Sequence, residues 1–423
     1  MKNMNKCSLK SLVFFVSGNR VANRAALTDM ATGMVSLATV GVISVILGIF
    51  SQNGRLVKIW SYLWPLQKPE PSVLDSFDIR NSSYQFNYDH AHSVRQENMH
   101  KYDFKYIPRG VDRRSNLSLQ EFIEVYDSKW PVLITDVVPT WKASNWTPEF
   151  FLQHYKDDRV TMKAVHGKMD SGKGLALPLF LFLQNIHKSD EMMWTYLEDE
   201  LFLHTRPELR KDIGDCKYLN EDFFSLFPPS VIPWNAMMLW GTAHSRSSLH
   251  IDPYNWTGTN AVLSGTKKWK LFPPGQDHLL YVVHDRRCGF PLDCFKYNSE
   301  VDTFAVDEER YPLFKQARYI EFEQKAGELL IIPTGWFHQA YNSEVTLAVS
   351  SQVMNSQNYL VVLEEIIKAG NIKRSSLPLH FATLSPKGQV KTVASLLSPD
   401  ILEKGQKLTE KILKEVQGNV ERS

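Results

Sequence analysis

Cysteine is scarce in this chain, with four in 423 residues: Cys7, Cys216, Cys288 and Cys294. That number and spacing suit neither a zinc site nor a dense disulfide scaffold. Cys288 and Cys294 are near enough in sequence to be bridged in an oxidising compartment, and two reduced thiols fit equally well. An excess of one charge is also missing, since 48 Lys and Arg face 46 Asp and Glu for a formal net charge of +2. No basic run of the kind that tracks phosphates occurs, so nucleic acid is not expected as a partner. Apolar residues, by contrast, make up 43% of the chain. That is enough for one large domain with a full core, plus appendages.

Against this background the sequence His250-Ile251-Asp252 stands out, followed 86 residues later by His338. Two imidazoles and one carboxylate form the facial ligand set of non-haem Fe(II), which leaves the opposite coordination positions open. One His-x-Asp alone says little, because a chain with 13 His contains roughly one by chance. The specificity lies in the neighbouring residues, Ala243 to Pro253 around the first pair and Gly327 to His338 before the distal histidine.

Those neighbouring residues carry a resemblance. His-Ile-Asp-Pro (250–253), Thr259 to Trp269 and Pro333-Thr334-Gly335-Trp336-Phe337-His338 resemble the JmjC-type, cupin-like oxygenases that depend on Fe(II) and 2-oxoglutarate. The similarity runs from about Phe104 to about Tyr359. The nearest pattern is the subgroup of protein hydroxylases and arginine demethylases once described as phosphatidylserine receptors. The resemblance implies a double-stranded β-helix (jelly-roll) barrel, mostly β with flanking helices. It also implies Fe(II) held by His250, Asp252 and His338, with 2-oxoglutarate and dioxygen as cosubstrates. JmjC histone-lysine demethylases more often carry Glu where this chain has Asp252, which tilts the expectation toward hydroxylation of a protein side chain. N-methyl demethylation by the same chemistry and a non-catalytic interaction module are the alternatives.

Two strands add physical detail. In Lys267-Lys268-Trp269-Lys270-Leu271, alternation puts Lys267 on one face with Trp269 and Leu271, and Lys268 with Lys270 on the other. Lys267 therefore points into the barrel, where an ammonium is costly unless an anion meets it. The resemblance makes that anion the distal carboxylate of 2-oxoglutarate; an internal ion pair with a protein carboxylate is the competing reading. In Val345 to Ser350 the even positions Thr346, Ala348 and Ser350 are small or polar, which leaves a cavity rather than a filled core. The resemblance adds Ser350, Asn260, Tyr196 and Ser247 around the same cosubstrate, the last two also compatible with ordinary packing. Trp336 and Phe337 read as barrel core, and His244 as an exposed loop residue.

Residues 1–30 read as a cytosolic tail, 31–50 as a transmembrane helix, 51–100 as a stem, 101–355 as the oxygenase domain and 356–423 as a helical extension. Ala31 to Phe50 carries no charge, and at about 1.5 Å rise per residue it spans roughly 30 Å, a bilayer's hydrocarbon thickness. Trp60, Tyr62 and Trp64 follow it, and Lys2, Lys6, Lys10, Arg20 and Arg24 precede it. The positive-inside bias then predicts a single-pass protein with a lumenal catalytic domain, in the endoplasmic reticulum, the cytosolic face being the alternative. Sequons at Asn81, Asn116 and Asn145 are compatible with that topology, although chance also supplies several in a chain this long. Asn255 would lie beside the metal, where a glycan does not fit. Helices are expected over Leu119 to Tyr126 and Phe150 to Tyr155, and a helix- and loop-rich section over Leu175 to Phe227. Short strands are expected from Ala236 to Ser351. An insert near Gly275 to Gln316 precedes the second half of the barrel. A charged amphipathic helix after Ser398 completes the extension, a surface suited to a homodimer or to packing on the chain's own barrel.

Overall fold

The computed structural model describes residues 110–167, 173–285 and 296–420. The expected tail, transmembrane segment and stem lie outside the described residues, as do Asn81, Cys7, Cys288 and Cys294. Among the described residues no helix is long and apolar enough to cross a membrane.

The described residues form fifteen strands: β1 (Asp112–Arg114), β2 (Val132–Ile134), β3 (Arg159–His166), β4 (Lys173–Pro178), β5 (Met193–Asp199), β6 (Met237–Gly241), β7 (Leu249–Ile251), β8 (Thr257–Ser264), β9 (Thr266–Phe272), β10 (Val282–Asp285), β11 (Lys296–Ser299), β12 (Ile320–Lys325), β13 (Leu329–Ile332), β14 (Phe337–Asn342) and β15 (Thr346–Val353). They form a large sheet in the order β1-β2-β13-β8-β15-β6-β5-β3-β4 and a small sheet in the order β10-β11-β7-β14-β9-β12. Eight of them close the barrel. From β6 to β9 the chain alternates between large and small sheet, turns back within the small sheet from β9 to β12, then alternates again to β15. This path is the jelly roll that the resemblance implies.

Alternation along each strand sets what faces inward. Trp269 and Leu271 from β9 meet Leu330 and Ile332 from β13, with Trp336, in one buried cluster between the sheets. On the outer face of the small sheet, Leu249, Ile251, Phe272 and Phe337 pack against Tyr297, Val301 and Phe314 of the insert. Burying each such side chain contributes about 1.5–3 kcal/mol. These two clusters fix which way the intervening polar residues point.

The expected first helix is a short α1 (Leu119–Glu121), capped by Ser118, that widens into a π turn over Phe122–Tyr126. Helix α2 (Pro148–His154) begins two residues before the expected Phe150, with Thr147 Oγ1 accepting from the Phe150 amide. The short strand β2 (Val132–Ile134) follows the π turn. The section from Leu175 to Phe227 contains α3 (Leu179–Asn185) and α4 (Pro207–Arg210), but also β4 and β5, which extend the large sheet. Buried Trp194, Tyr196 and Leu197 occupy both faces of β5, and this hides the period-two pattern of a strand. After β15, helices α5 (Tyr359–Ala369), α6 (Pro386–Ser395) and α7 (Pro399–Val420) form the expected extension. Val362, Leu363 and Ile366 pack with Val390, Val393 and Phe224. Asn116 and Asn145 are exposed, as a sequon requires, whereas Asn255 is 2% exposed and closed to a glycan.

Asp127, 3% exposed, ties the first turn to the start of the extension by accepting from Asn355 Nδ2 at 2.8 Å. Burial pushes its carboxyl up to about 6, with the Asn355 bond opposing. The folded chain therefore keeps a proton that the unfolded chain releases near pH 4, so this group's contribution is full below about pH 4 and falls as pH rises toward 6. Asp127→Asn, which cannot ionise, should gain stability relative to the parent between about pH 4 and 7, by at most about 2–3 kcal/mol. Chemical denaturation at both pH values checks this; a pH-independent difference would contradict it.

Candidate metal centre

His250 and His338 are direct cross-strand partners on β7 and β14. The buried neighbours on the outer face, Leu249 and Ile251 for one and Phe337 for the other, turn both imidazoles into the barrel. Their ring centroids lie 4.4 Å apart. Asp252 directly follows β7, and a 3-10 turn over Pro253–Asn255 comes next. In this turn Tyr254 and Asn255 both adopt left-handed backbone conformations, with φ of 53° and 62°. For Tyr254 this is unusual and marks a turn held in place by its surroundings.

Asp252 Oδ1 is 3.6 Å from Nε2 of His250 and 3.6 Å from Nε2 of His338, and one donor atom from each residue fits within 4.8 Å of the others. His250 Nδ1 bonds the Ser248 carbonyl at 2.8 Å and His338 Nδ1 bonds the Trp336 carbonyl at 3.1 Å. A carbonyl only accepts, so each Nδ1 carries the hydrogen and each Nε2 lone pair faces the centre, as in a metal ligand oriented from behind. Burial alone would raise the Asp252 carboxyl, but the facing His338 and His250 hold it well below the usual carboxylate range. Burial likewise disfavours charged His250, and the Asp252 hydrogen bond overrides this and raises it. Without an ion the three groups are an electrostatic cluster; a divalent cation would take the place of the imidazole protons. A Cβ at Gly258 would overlap Asp252 Oδ2, so the carboxylate occupies space that this glycine leaves clear. Two neutral imidazoles, one carboxylate and this clearance fit the Fe(II) donor set.

Deeper in the barrel, Lys267 is completely buried. Its Nζ donates to the Tyr196 hydroxyl at 3.2 Å and lies 5.8 Å from the centre of the Trp269 ring. Among the described residues no carboxylate is within ion-pair distance of it. Burial lowers the ammonium to about 7, and the charge of Glu198 partly opposes the shift. Asn342 is its cross-strand partner. The Asn342 amide donates to Ser245 Oγ at 2.8 Å, leaving its Oδ1 without a hydrogen-bond partner, and Asn260 Oδ1 has none either. A Cβ at Gly241 would overlap Asn342 and Ser245, so this glycine lets both side chains pack against β6. A buried ammonium with one hydroxyl partner is suited to receive a small anion, whereas the two amide oxygens are acceptors and call for a donor.

The remaining expected residues divide. Ser350 is the register partner of Asn260 on the inward face, with its hydroxyl donating to the Thr259 carbonyl at 2.9 Å. Ser247 Oγ instead accepts the Ala340 amide at 3.0 Å, closing the ladder where β7 begins. Trp336 and Phe337 are core on opposite faces of the small sheet. His244 is a half-exposed loop residue whose Nδ1 meets Tyr341 OH at 2.8 Å and Glu191 at 3.0 Å, on the outer side of the small sheet. Cys216 is a buried free thiol, raised to about 11 by that burial, and lacks the character of a nucleophile. Gly258, Gly241 and Asn342 are absent from the sequence-derived set, since their roles arise from register across distant strands.

Residues 118–352 match the family described as a cupin-like domain. A lysine-specific demethylase of Arabidopsis thaliana, JMJ21, is 27% identical over 266 residues, covering 60% of this chain and 26% of the relative. The bifunctional arginine demethylase and lysyl-hydroxylase psr-1 of Caenorhabditis elegans is 25% identical over 264 residues, 60% of this chain and 63% of the relative. A 2-oxoglutarate and iron-dependent oxygenase of Gallus gallus, JMJD4, is 32% identical over 123 residues, 29% of this chain and 27% of the relative. The chain spans less than two thirds of the length of each.

Gly258→Ala should displace the Asp252 carboxylate and weaken Mn(II) binding by about 10–100-fold, with the fold retained by circular dichroism. Unchanged affinity in calorimetry would show that Asp252 is not a ligand.

Proposed function

This chain belongs to the cupin-like domain family, and we propose that it is an Fe(II)- and 2-oxoglutarate-dependent dioxygenase that hydroxylates a protein side chain. The observation that carries the reading is the pairing of an oriented His250–Asp252–His338 cluster with a buried, anion-seeking Lys267. A scaffold module has no need of either. Bound at the cluster, Fe(II) would supply the oxidative chemistry that couples decarboxylation of 2-oxoglutarate to hydroxylation of a substrate C–H bond.

The chain's own groups do the rest. His250, Asp252 and His338 would hold the metal. Lys267 and Tyr196 receive the distal carboxylate of 2-oxoglutarate, with Asn260 beside them. The small Thr346, Ala348 and Ser350 leave it room, and Trp269 and Trp336 help close the base against water. N-methyl demethylation would use the same residues. It is supported by psr-1, whose name joins arginine demethylation and lysyl hydroxylation.

The test is succinate release from 2-oxoglutarate by the full chain with Fe(II), with a chelator, and in His250→Ala and Asp252→Ala. The reading expects loss in the last three, and full turnover in Asp252→Ala would refute it. Lys267→Met should raise the 2-oxoglutarate requirement by about one to two orders of magnitude. Because free Lys267 titrates near pH 7, binding a dianion must capture a proton above that pH. Affinity should therefore fall from pH 7 to 9 in the parent and stay level in Lys267→Arg; a flat parent profile would count against the assignment.

We propose further that residues 31–50 anchor the protein in a membrane as a single-pass span, with the catalytic domain in the lumen of the endoplasmic reticulum. The uncharged run and the surrounding aromatic and basic residues support this. Helices of the extension are the surface proposed for a homodimer. In alkaline carbonate extraction the protein should stay with the membrane pellet, with a C-terminal tag protected from protease in sealed microsomes. Release into the supernatant would refute the anchor, and a digested tag the topology.

A further inference from the structure

The inward face of the large sheet continues past the barrel, from β6 onto β5, β3 and β4. Register shows what stands on that continuation. Tyr196 is opposite Gly241 on β6 and Lys163 on β3, and its hydroxyl meets Lys267, so this is the face turned to the metal side. Two residues along β5, Glu198 shares it, opposite Leu239. Beyond Glu198 the same face carries Thr161 and its β4 partner Ala176, and next to them Gly174, the partner of Lys163. Glu198, Thr161, Ala176 and Gly174 are all exposed. The result is a shallow ledge of small side chains around half-buried Lys163, leading away from the barrel, with one carboxylate at its inner edge.

That carboxylate has no hydrogen bond or ion pair among the described residues, including with Lys163. Its charge reaches the Lys267 end of the site, where it favours the charged form of the ammonium. A bare carboxylate there repels a dicarboxylate cosubstrate, and a cation arriving with the substrate would offset the repulsion. We propose that Glu198 is a specificity-determining residue that receives the positive charge of a lysine or arginine side chain of a protein substrate laid along this ledge. The inference rests on the oxygenase reading and deepens it by naming a residue that reads the substrate's charge.

The experiment measures binding of short peptides to the full chain loaded with Mn(II) and 2-oxoglutarate at low ionic strength, so that no turnover is needed. Peptides centred on lysine or arginine are compared with neutral counterparts centred on norleucine or citrulline. The parent should prefer at least one cationic peptide over its neutral counterpart by about tenfold. Glu198→Gln, isosteric and at an exposed position, should bring that ratio close to one, and Glu198→Lys should favour a glutamate-centred peptide. Absence of any preference in the parent, or its persistence in Glu198→Gln, would overturn the proposal. Mn(II) and 2-oxoglutarate binding on the same samples tests the oxygenase reading separately: if both bind and charge preference is missing, the Glu198 assignment fails alone.

Discussion

The site depends on one cross-strand pair, His250 against His338. Ligands that far apart in sequence converge because β7 and β14 are neighbours in the small sheet, and that adjacency follows from the jelly-roll path. The apolar outer face then decides which way the ring nitrogens look. Leu249, Ile251 and Phe337 are buried under the insert, so slipping either strand by one residue would bury an imidazole there and turn an apolar side chain to the metal. Packing on one side of the sheet thus enforces chemistry on the other. Asp252 joins the pair through the left-handed turn that follows it, in the clearance left by Gly258.

The second constraint is the cost of burying Lys267. A fully buried ammonium with one hydroxyl partner is not a stabilising core residue. It is retained at a position where Asn260 and Asn342 also keep an unsatisfied oxygen. The fold accepts this deficit because the surrounding barrel is held by apolar clusters on both sides of the small sheet and by the extension packed on Phe224 and Val231. An anion bound by the Lys267 ammonium would recover part of the cost of burying it, which couples cosubstrate binding to local stability.

Much of this is legible in the sequence, for identifiable reasons. The metal ligands are chemically distinctive, and the strands around them are short runs between Gly and Pro turns. Period two in Lys267 to Leu271 and in Val345 to Ser350 gives the inward faces that register bears out. Alternation shows which way Lys267 points, not what awaits it there, so the ion-pair reading could be set aside only in three dimensions. β5 is hidden because apolar residues fall on both of its faces. Gly258, Gly241 and Glu198 are hidden for another reason: a glycine or a surface glutamate has meaning only beside residues brought to it by pairing across the sheet.

The most direct measurement is an anaerobic absorbance titration of the full chain, first with Fe(II) and then with 2-oxoglutarate. A 2-oxo acid chelating Fe(II) that keeps open positions produces a visible charge-transfer band. The account predicts one Fe(II) per chain and a band that appears on adding 2-oxoglutarate and saturates with it. Iron and 2-oxoglutarate both bound with no such band would mean that they do not meet, and would contradict the site as described.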